Sequence, residues 1–339
     1  PLAGPRVQGI RAVKKRWPGA AALRIMWRFL RGLIMWFRNL QLYRLGQTFN
    51  LSPESLNEKL HGQAFRGCGR MDMSTSGWVP PLGRHSELLV HAADACIMLC
   101  LRKGEKIMPA GVINQLLEDR VAEIESAEGR EVYRRERRRL KDEVIVDLLP
   151  RALTRHTDQY AYIDTRNGLV VVDTPTASKA EDFISQLRAT LGTFKATPLE
   201  VNESASGAMT RWLNGAPLPS GFELGDTCEL KHPDPAGGQV TIKGQDLHAG
   251  EVRNHLSHGK YAVRLALAWK ERLSFVLQDD LSVKRLKFED VIREAEGDTD
   301  ADDFASRFDL DFSLMTLELA AFLPQLLDSL GGEALPEAA

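Results

Sequence analysis

A chain of 339 residues with 43% hydrophobic and 27% charged side chains can bury a substantial core, and its length suits two or three compact units. Its net charge of −2 does not by itself mark a nucleic-acid binder, and no uninterrupted apolar run approaches the roughly 18 residues of a membrane-spanning helix. The four cysteines, Cys68, Cys96, Cys100 and Cys228, follow neither zinc nor redox spacing and read as buried or partly buried thiols of a reducing, cytoplasmic compartment.

Residues 1–34 hold Arg6, Arg11, Lys14, Lys15, Arg16, Arg24, Arg28 and Arg31 with no acid, which leaves 36 bases against 46 acids in the rest of the chain. An acidic body can still bind phosphates if its bases share one surface, because local potential governs association. Within this head, Leu23–Ile34 has the spacing of a basic amphipathic helix. The head is expected to be poorly ordered and unnecessary for function.

From Met35 to Leu45, alternation of Trp36, Leu40, Leu42 and Leu45 with polar neighbours predicts a first strand. Ser52-Pro53-Glu54 supplies an N-cap, a proline at the first helical position and an acid in the first turn, so Pro53 to about His61 reads as a helix. The paired prolines of 77–83 predict an extended loop. Leu88–Leu101 ends in the apolar run Cys96–Leu101, which suits a buried strand, and Lys103–Lys106 reads as a polar turn.

Pro109 to about Ser126 is predicted as a helix on the stripe Ile113, Leu117, Val121 and Ile124; Gly129 interrupts, and a second helix runs to Leu149. In that second helix Arg130, Arg134, Arg137, Arg138 and Lys141 fall on one side as a cationic ridge. Tyr160–Asp164 and Leu169–Asp173 flank Thr165-Arg166-Asn167-Gly168, whose Asn-Gly pair signals a β-hairpin turn. Ser178–Leu191 follows as a helix, and a linker rich in Gly, Pro and Asn spans 192–221 with a short helix near Met209–Leu213.

Strands are predicted at Phe222–Leu230, Gly238–Ile242, Tyr261–Trp269, Arg272–Gln278 and Ser282–Phe288, with a helix at His248–Ser257. Phe304, Phe308, Phe312, Met315, Leu319, Phe322, Leu326 and Leu330 then step by threes and fours, closed by Gly331-Gly332 and with a bend expected at Pro324. This stripe reads as core rather than a dimer seam. The fold class is therefore α+β, with antiparallel sheets, packed helices and a protruding helical hairpin. Its parts are a head (1–34), a central region begun by 35–108 and completed by 151–200, a hairpin tip (109–150), a base of second sheet and long helix (201–332), and a tail (333–339).

Seven local sequences recur in a recognisable order: Met35-Trp36-Phe37-Arg38-Asn39-Leu40, Gly77 to Gly83, Leu140 to Val144, Leu148 to Ala152, Ile163 to Leu169, Lys284 to Phe288 and Phe308 to Phe312. Together they resemble the bacterial recombination-associated RdgC family over essentially everything after residue 34. The resemblance implies a non-enzymatic protein that closes as a homodimeric ring around duplex DNA, and also takes single strands, with little sequence preference and no cofactor. It also implies restraint of recombinase filaments and association with the nucleoid. Two departures stand out within it: Gly244 where a second base is expected, and Leu153 where some members have an aromatic.

Non-specific duplex binding needs only Lys and Arg heads and amides at phosphate spacing. The candidates are Lys284, Arg285 and Lys287, with Arg285 and Lys287 on one face of the strand and Lys284 and Leu286 on the other; Lys243 with Gln245; Arg151 with Arg155; Lys103 with Lys106; and Arg134 with Arg138 on the ridge. The resemblance places such segments near the inner wall of a ring. The same residues also fit an ordinary solvated surface. Asp164 and Asp173, with Asp158, offer the alternative of a metal-dependent nuclease, while the ridge or the long terminal helix offers that of a protein-only interaction module. Asp298, Asp300 and Asp302 open like a calcium loop, but Asp303 and Asp309 stand where it needs Gly and Glu. Trp78 reads as packed under the proline loop rather than as a platform for bases.

Overall fold

The structure is a computed structural model describing residues 36–289, 291–292 and 304–334. The head, the start of the first predicted strand and the acids Asp298, Asp300, Asp302 and Asp303 lie outside the described residues. The elements below all belong to the compact unit that begins at Phe37.

The first sheet comprises β1 (Gln41–Leu45), β2 (Ser74–Val79), β3 (Val90–Ala93), β4 (Cys96–Lys106), β5 (Thr154–Asp164), β6 (Leu169–Val172) and β7 (Ala196–Pro198). All pairings are antiparallel in the order β2-β4-β5-β6-β1-β7, and β3 occupies the stretch of the β4 edge that β2 leaves free. On one face, Ile97, Leu99, Leu101, Ala161, Ile163, Val170 and Val172 form a core with Leu56 and Leu60 of α1 (Pro53–His61) and Phe183, Ile184 and Leu187 of an amphipathic helix at Ala177–Leu191. Ser52 caps α1 as predicted, its side chain accepting from the Ser55 amide.

Three predictions in this region are corrected. The polar stretch Lys103–Lys106 is not a turn but the outer part of β4, paired with β5 from Cys96–Asp164 to Lys106–Thr154. Its solvent-facing side chains hid the strand, since polarity reports exposure rather than backbone direction. The single run Leu88–Leu101 is instead two strands folded back at Asp94, whose φ is 50°. The segment from Gly77 is not all loop: Ser74–Val79 pairs with β4 while residues 63–65 cross its other side. Gly77 makes that crossing fit, because a Cβ there would stand 2.6 Å from the Phe65 Cα. Trp78 is buried, donates from Nε1 to Thr190 Oγ1 at 2.9 Å and meets Phe183 edge-on.

Between β4 and β5 the chain forms α2 (Ala110–Glu128) and α3 (Arg134–Leu148), which meet through Leu117, Val121 and Leu140. Gly129, at φ 64°, ends α2 in the left-handed cap that a glycine tolerates best. Since α3 starts at Arg134, Arg130 stands outside it and bridges Glu128 and Glu136, while Arg137 is taken by Glu118. The ridge is thus shorter than predicted. The helix at Ala177–Leu191 is α4; the predicted linker after it contains β7 and a full helix, α5 (Ala205–Leu213), capped by Ser204.

The second sheet is β8 (Phe222–Lys231), β9 (Gln239–Lys243), β10 (Tyr261–Trp269), β11 (Leu273–Gln278) and β12 (Val283–Phe288), antiparallel throughout in the order β12-β11-β10-β8-β9. Helix α6 (Gly250–Ser257) lies between β9 and β10 in sequence. Helix α5 is tied to β10: Ser206 Oγ donates to the Ala262 carbonyl at 2.7 Å, and the Ala262 amide donates to Thr210 Oγ1 at 2.9 Å. The sheets are joined where Leu40, just before β1, exchanges backbone hydrogen bonds with Val283 of β12.

Helix α7 (Phe304–Asp328) packs on both sheets and runs unbroken through Pro324. Its Phe312 meets Tyr162 and His91 of the first sheet, and Phe322 meets Phe222, Trp269 and Phe275 of the second. By length and composition α7 could cross a membrane, but its stripe of Phe308, Phe312, Met315, Leu319, Phe322, Leu323 and Leu326 is buried in protein contacts. The stripe is core, as its spacing predicts.

Candidate nucleic-acid interface

Alternation along β10 buries Leu265, Leu267 and Trp269 and turns Arg264, Ala266 and Ala268 to the opposite side. That opposite side is an open, polar face of the second sheet. Register then decides what stands beside what: Arg264 is opposite Gln278 on β11 and Glu229 on β8, Val276 is opposite Lys284 on β12, and Thr227 is opposite Lys243 on β9. Lys243, Arg264, Lys284 and Arg285 therefore line one shallow depression with Thr227, Glu229, Thr241, Val276 and Gln278. With strands about 4.8 Å apart, Arg264 stands roughly 10 Å across the sheet from each flanking lysine strand.

The β12 edge corrects the predicted facing of its cations. Pairing slips between Ser274–Lys287 and Val276–Lys284, and Arg285 sits in the extra position at φ 54°. This is a β-bulge, in which one added residue resets the alternation. Lys284 and Lys287 consequently share the open face, while Val283, Leu286 and Phe288 all turn into the core. A regular strand would have sent Lys284 inward with Leu286.

Charge pairing separates these cations. Lys287 is held by Glu289 at 2.5 Å and Arg264 by Glu229 at 2.7 Å. Among the described residues, Lys243, Lys284 and Arg285 have no carboxylate within ion-pair distance. Gln245 is exposed just beyond them, past Gly244 at φ 64°. Space there would admit a side chain, but the left-handed backbone disfavours one.

The other predicted cations are not brought to this face. Lys103 and Arg155 share Glu105 across β4 and β5, at 2.8 and 3.2 Å, beside a cavity that also holds Lys179, Asp173 and Asp182. That cavity is mixed in charge. Lys106 Nζ donates to the Ala152 carbonyl at 3.3 Å. Arg151 is exposed in a short 3-10 turn after α3, next to Leu153, which is 78% exposed. Arg134 and Arg138 are exposed on α3 with no carboxylate within ion-pair distance among the described residues.

The carboxylates of the nuclease alternative are each engaged in other contacts, and although Asp158 and Asp173 line one cavity, Asp164 is not among its lining. Asp164 accepts from the amides of Arg166 and Asn167 and from Asn167 Nδ2, closing the β5–β6 turn. Asp173 accepts from the amides of Arg38 and Asn39; burial raises its pKa, and those hydrogen bonds offset part of the rise. Asp158 forms two hydrogen bonds with Arg102 at 2.6 Å. Asp158 and Asp164 are six positions apart on one strand, about 20 Å, too far to share an ion. Among the described residues no three His, Cys, Asp or Glu side chains converge as a metal-ligand set.

Arg264 was missed at the sequence level because Ala266 and Ala268 blur the alternation of β10. The legible signal was size: Arg264, Ala266 and Ala268 alternate with Leu265, Leu267 and Trp269.

Comparison with known proteins gives one consistent family. The model described as "Putative exonuclease, RdgC" matches residues 35–333. The recombination-associated protein RdgC of Proteus mirabilis is 43% identical over 301 residues, covering 89% of this chain and all of that protein. Proteins of the same name from Salmonella paratyphi B and Salmonella typhimurium are each 44% identical over 301 residues, covering 89% of this chain and 99% of theirs.

Proposed function

The chain belongs to the RdgC family, and on that premise we propose that it binds duplex DNA, and single strands as well, without reading sequence. The observation that carries the proposal is the trio Lys243, Lys284 and Arg285, exposed or half-exposed on one open sheet face without acid partners among the described residues. Such heads suit phosphate oxygens, which fix register but carry no base information. Much of the rest of that face is short, Thr227, Thr241, Ala266 and Val276, and its longer side chains Glu229 and Gln278 are taken up by Arg264.

A homodimer that closes into a ring would present this face twice, turning a modest cluster into a lining for the duplex. The α2–α3 pair would serve as the protruding tip, with Arg134 and Arg138 able to follow the backbone. Occupying DNA in this way would restrain recombinase filaments passively, with no cofactor, alongside the chromosome in the cytoplasm.

The test is fluorescence anisotropy with duplexes of unrelated sequence over a salt series, beside sedimentation to establish the dimer. Each phosphate contact should add about −0.9 to the log–log slope of affinity against salt. Lys243→Ala with Lys284→Ala should flatten that slope equally for every duplex. Salt-insensitive binding, or a slope unmoved by the double substitution, would refute the assignment.

A further inference from the structure

Among the described residues the depression on the second sheet contains one acid, Glu229. Its Oε2 accepts from Arg264 Nη1 at 2.7 Å, its Oε1 accepts from Gln239 Nε2 at 2.6 Å, and its side chain is only 12% exposed. Arg264 is held from a second side, donating from Nε to Gln278 Oε1 at 2.8 Å, yet half of its side chain remains open to solvent. A guanidinium has five N–H donors. Two are used here, and among the described residues no partner takes the others.

We infer that Glu229 is a built-in counterion that limits the affinity of this face for DNA, by occupying Arg264 and placing a negative charge between Lys243 and Lys284. The inference rests on the DNA-binding reading above and concerns the strength of that binding. Gln239 anchors the carboxylate, so an arriving phosphate cannot simply swing it aside; it meets Arg264 already neutralised. At a distance the pair contributes almost no net charge, and only the flanking Lys243, Lys284 and Arg285 steer the polyanion. Among the described residues no other acid lines the depression to take over that role.

Glu229→Gln keeps an acceptor of the same size and removes the charge. It should bind a random-sequence duplex at least about fivefold more tightly near physiological salt and steepen the log–log slope by about 0.9, one added phosphate contact. Arg264→Ala, which leaves Glu229 unopposed, should weaken binding, and the double variant should return to within about twofold of the unmodified protein, as expected for two coupled neighbours. Thermal melting of each variant verifies that the fold is retained. An unchanged affinity and slope in Glu229→Gln would overturn the inference. So would weaker binding at an unchanged melting temperature, since Glu229 would then be positioning Arg264 rather than opposing it. Lys243→Ala with Lys284→Ala, run in parallel, separates the two levels. Loss of binding there without tightening in Glu229→Gln overturns this inference alone, whereas no loss there overturns the interface itself.

Discussion

Arg285 occupies a bulge at φ 54°, a backbone region that a residue with a Cβ enters at a cost of roughly 1–2 kcal/mol. Glycine would escape that cost but loses roughly 0.5–1 kcal/mol through its greater freedom when unfolded. Arg285→Gly should therefore stabilise the fold by about 0.5–1 kcal/mol, since the exposed side chain has no ion pair among the described residues. For a protein of this size that corresponds to a rise in melting temperature of about 1 °C. The same substitution removes a phosphate-facing cation, so the salt slope for duplex DNA should become shallower by about 0.9 per protomer. Arg285→Ala should show the same shallower slope without the thermal rise, because the methyl group retains the backbone strain. The assays are calorimetry and anisotropy on the same samples, and their opposite signs mean that weaker binding cannot be blamed on unfolding. A stabilised Arg285→Gly protein with an unaltered slope would refute the phosphate contact, and a lower melting temperature would refute the strain.

Burial pushes the Cys96 thiol up to about 12 and the Cys228 thiol up to about 11, and raises that of Cys100 as well. A thiol reagent at pH 8 should accordingly label Cys68 alone in the native protein and all four cysteines after denaturation, a pattern that fast native labelling of Cys68→Ser would contradict. His91 lies between Phe308 and Phe312, and burial lowers its pKa below 6.5 against a smaller opposing pull from Asp309, 3.1 Å away. A lowered folded-state pKa means that the unfolded chain takes up the proton first, so this contribution is complete above pH 6.5 and is lost as pH falls through the folded value. Denaturation midpoints should fall on acidification in that window, and His91→Phe should flatten the trend; an identical pH profile would exclude His91 as its source. Asp164→Asn should destabilise the protein by about 1–3 kcal/mol, because Asn167 Nδ2 would face a second amide donor. Metal-dependent plasmid cleavage that disappears in that variant at unchanged stability would instead restore the nuclease reading.

Much of the architecture was legible because its signals are local. The Ser52 cap, the Asn167-Gly168 turn, the stripe from Phe308 to Leu327 and all five strands of the second sheet to within a residue follow from spacing within single segments. The failures share a cause. Lys103–Lys106 and Ser74–Val79 are strands only because β5 and β4 lie alongside them, and Arg285 departs from alternation only because β11 pairs with β12 out of step. Each depends on pairing with another strand, which periodicity within one segment cannot register.

The residues alone determined the α+β class, the helices and most strands, the membership of a family, and a roster of cations able to meet phosphate. Only the tertiary structure decided which of them act together. Lys243, Arg264 and Lys284 come from strands far apart in the chain and converge through strand order and register, while Lys103, Arg155 and Arg137 are withdrawn by acids that the fold sets beside them. Whether a charge is free to bind depends on its neighbours in space, and those neighbours are set by hydrogen bonding between strands.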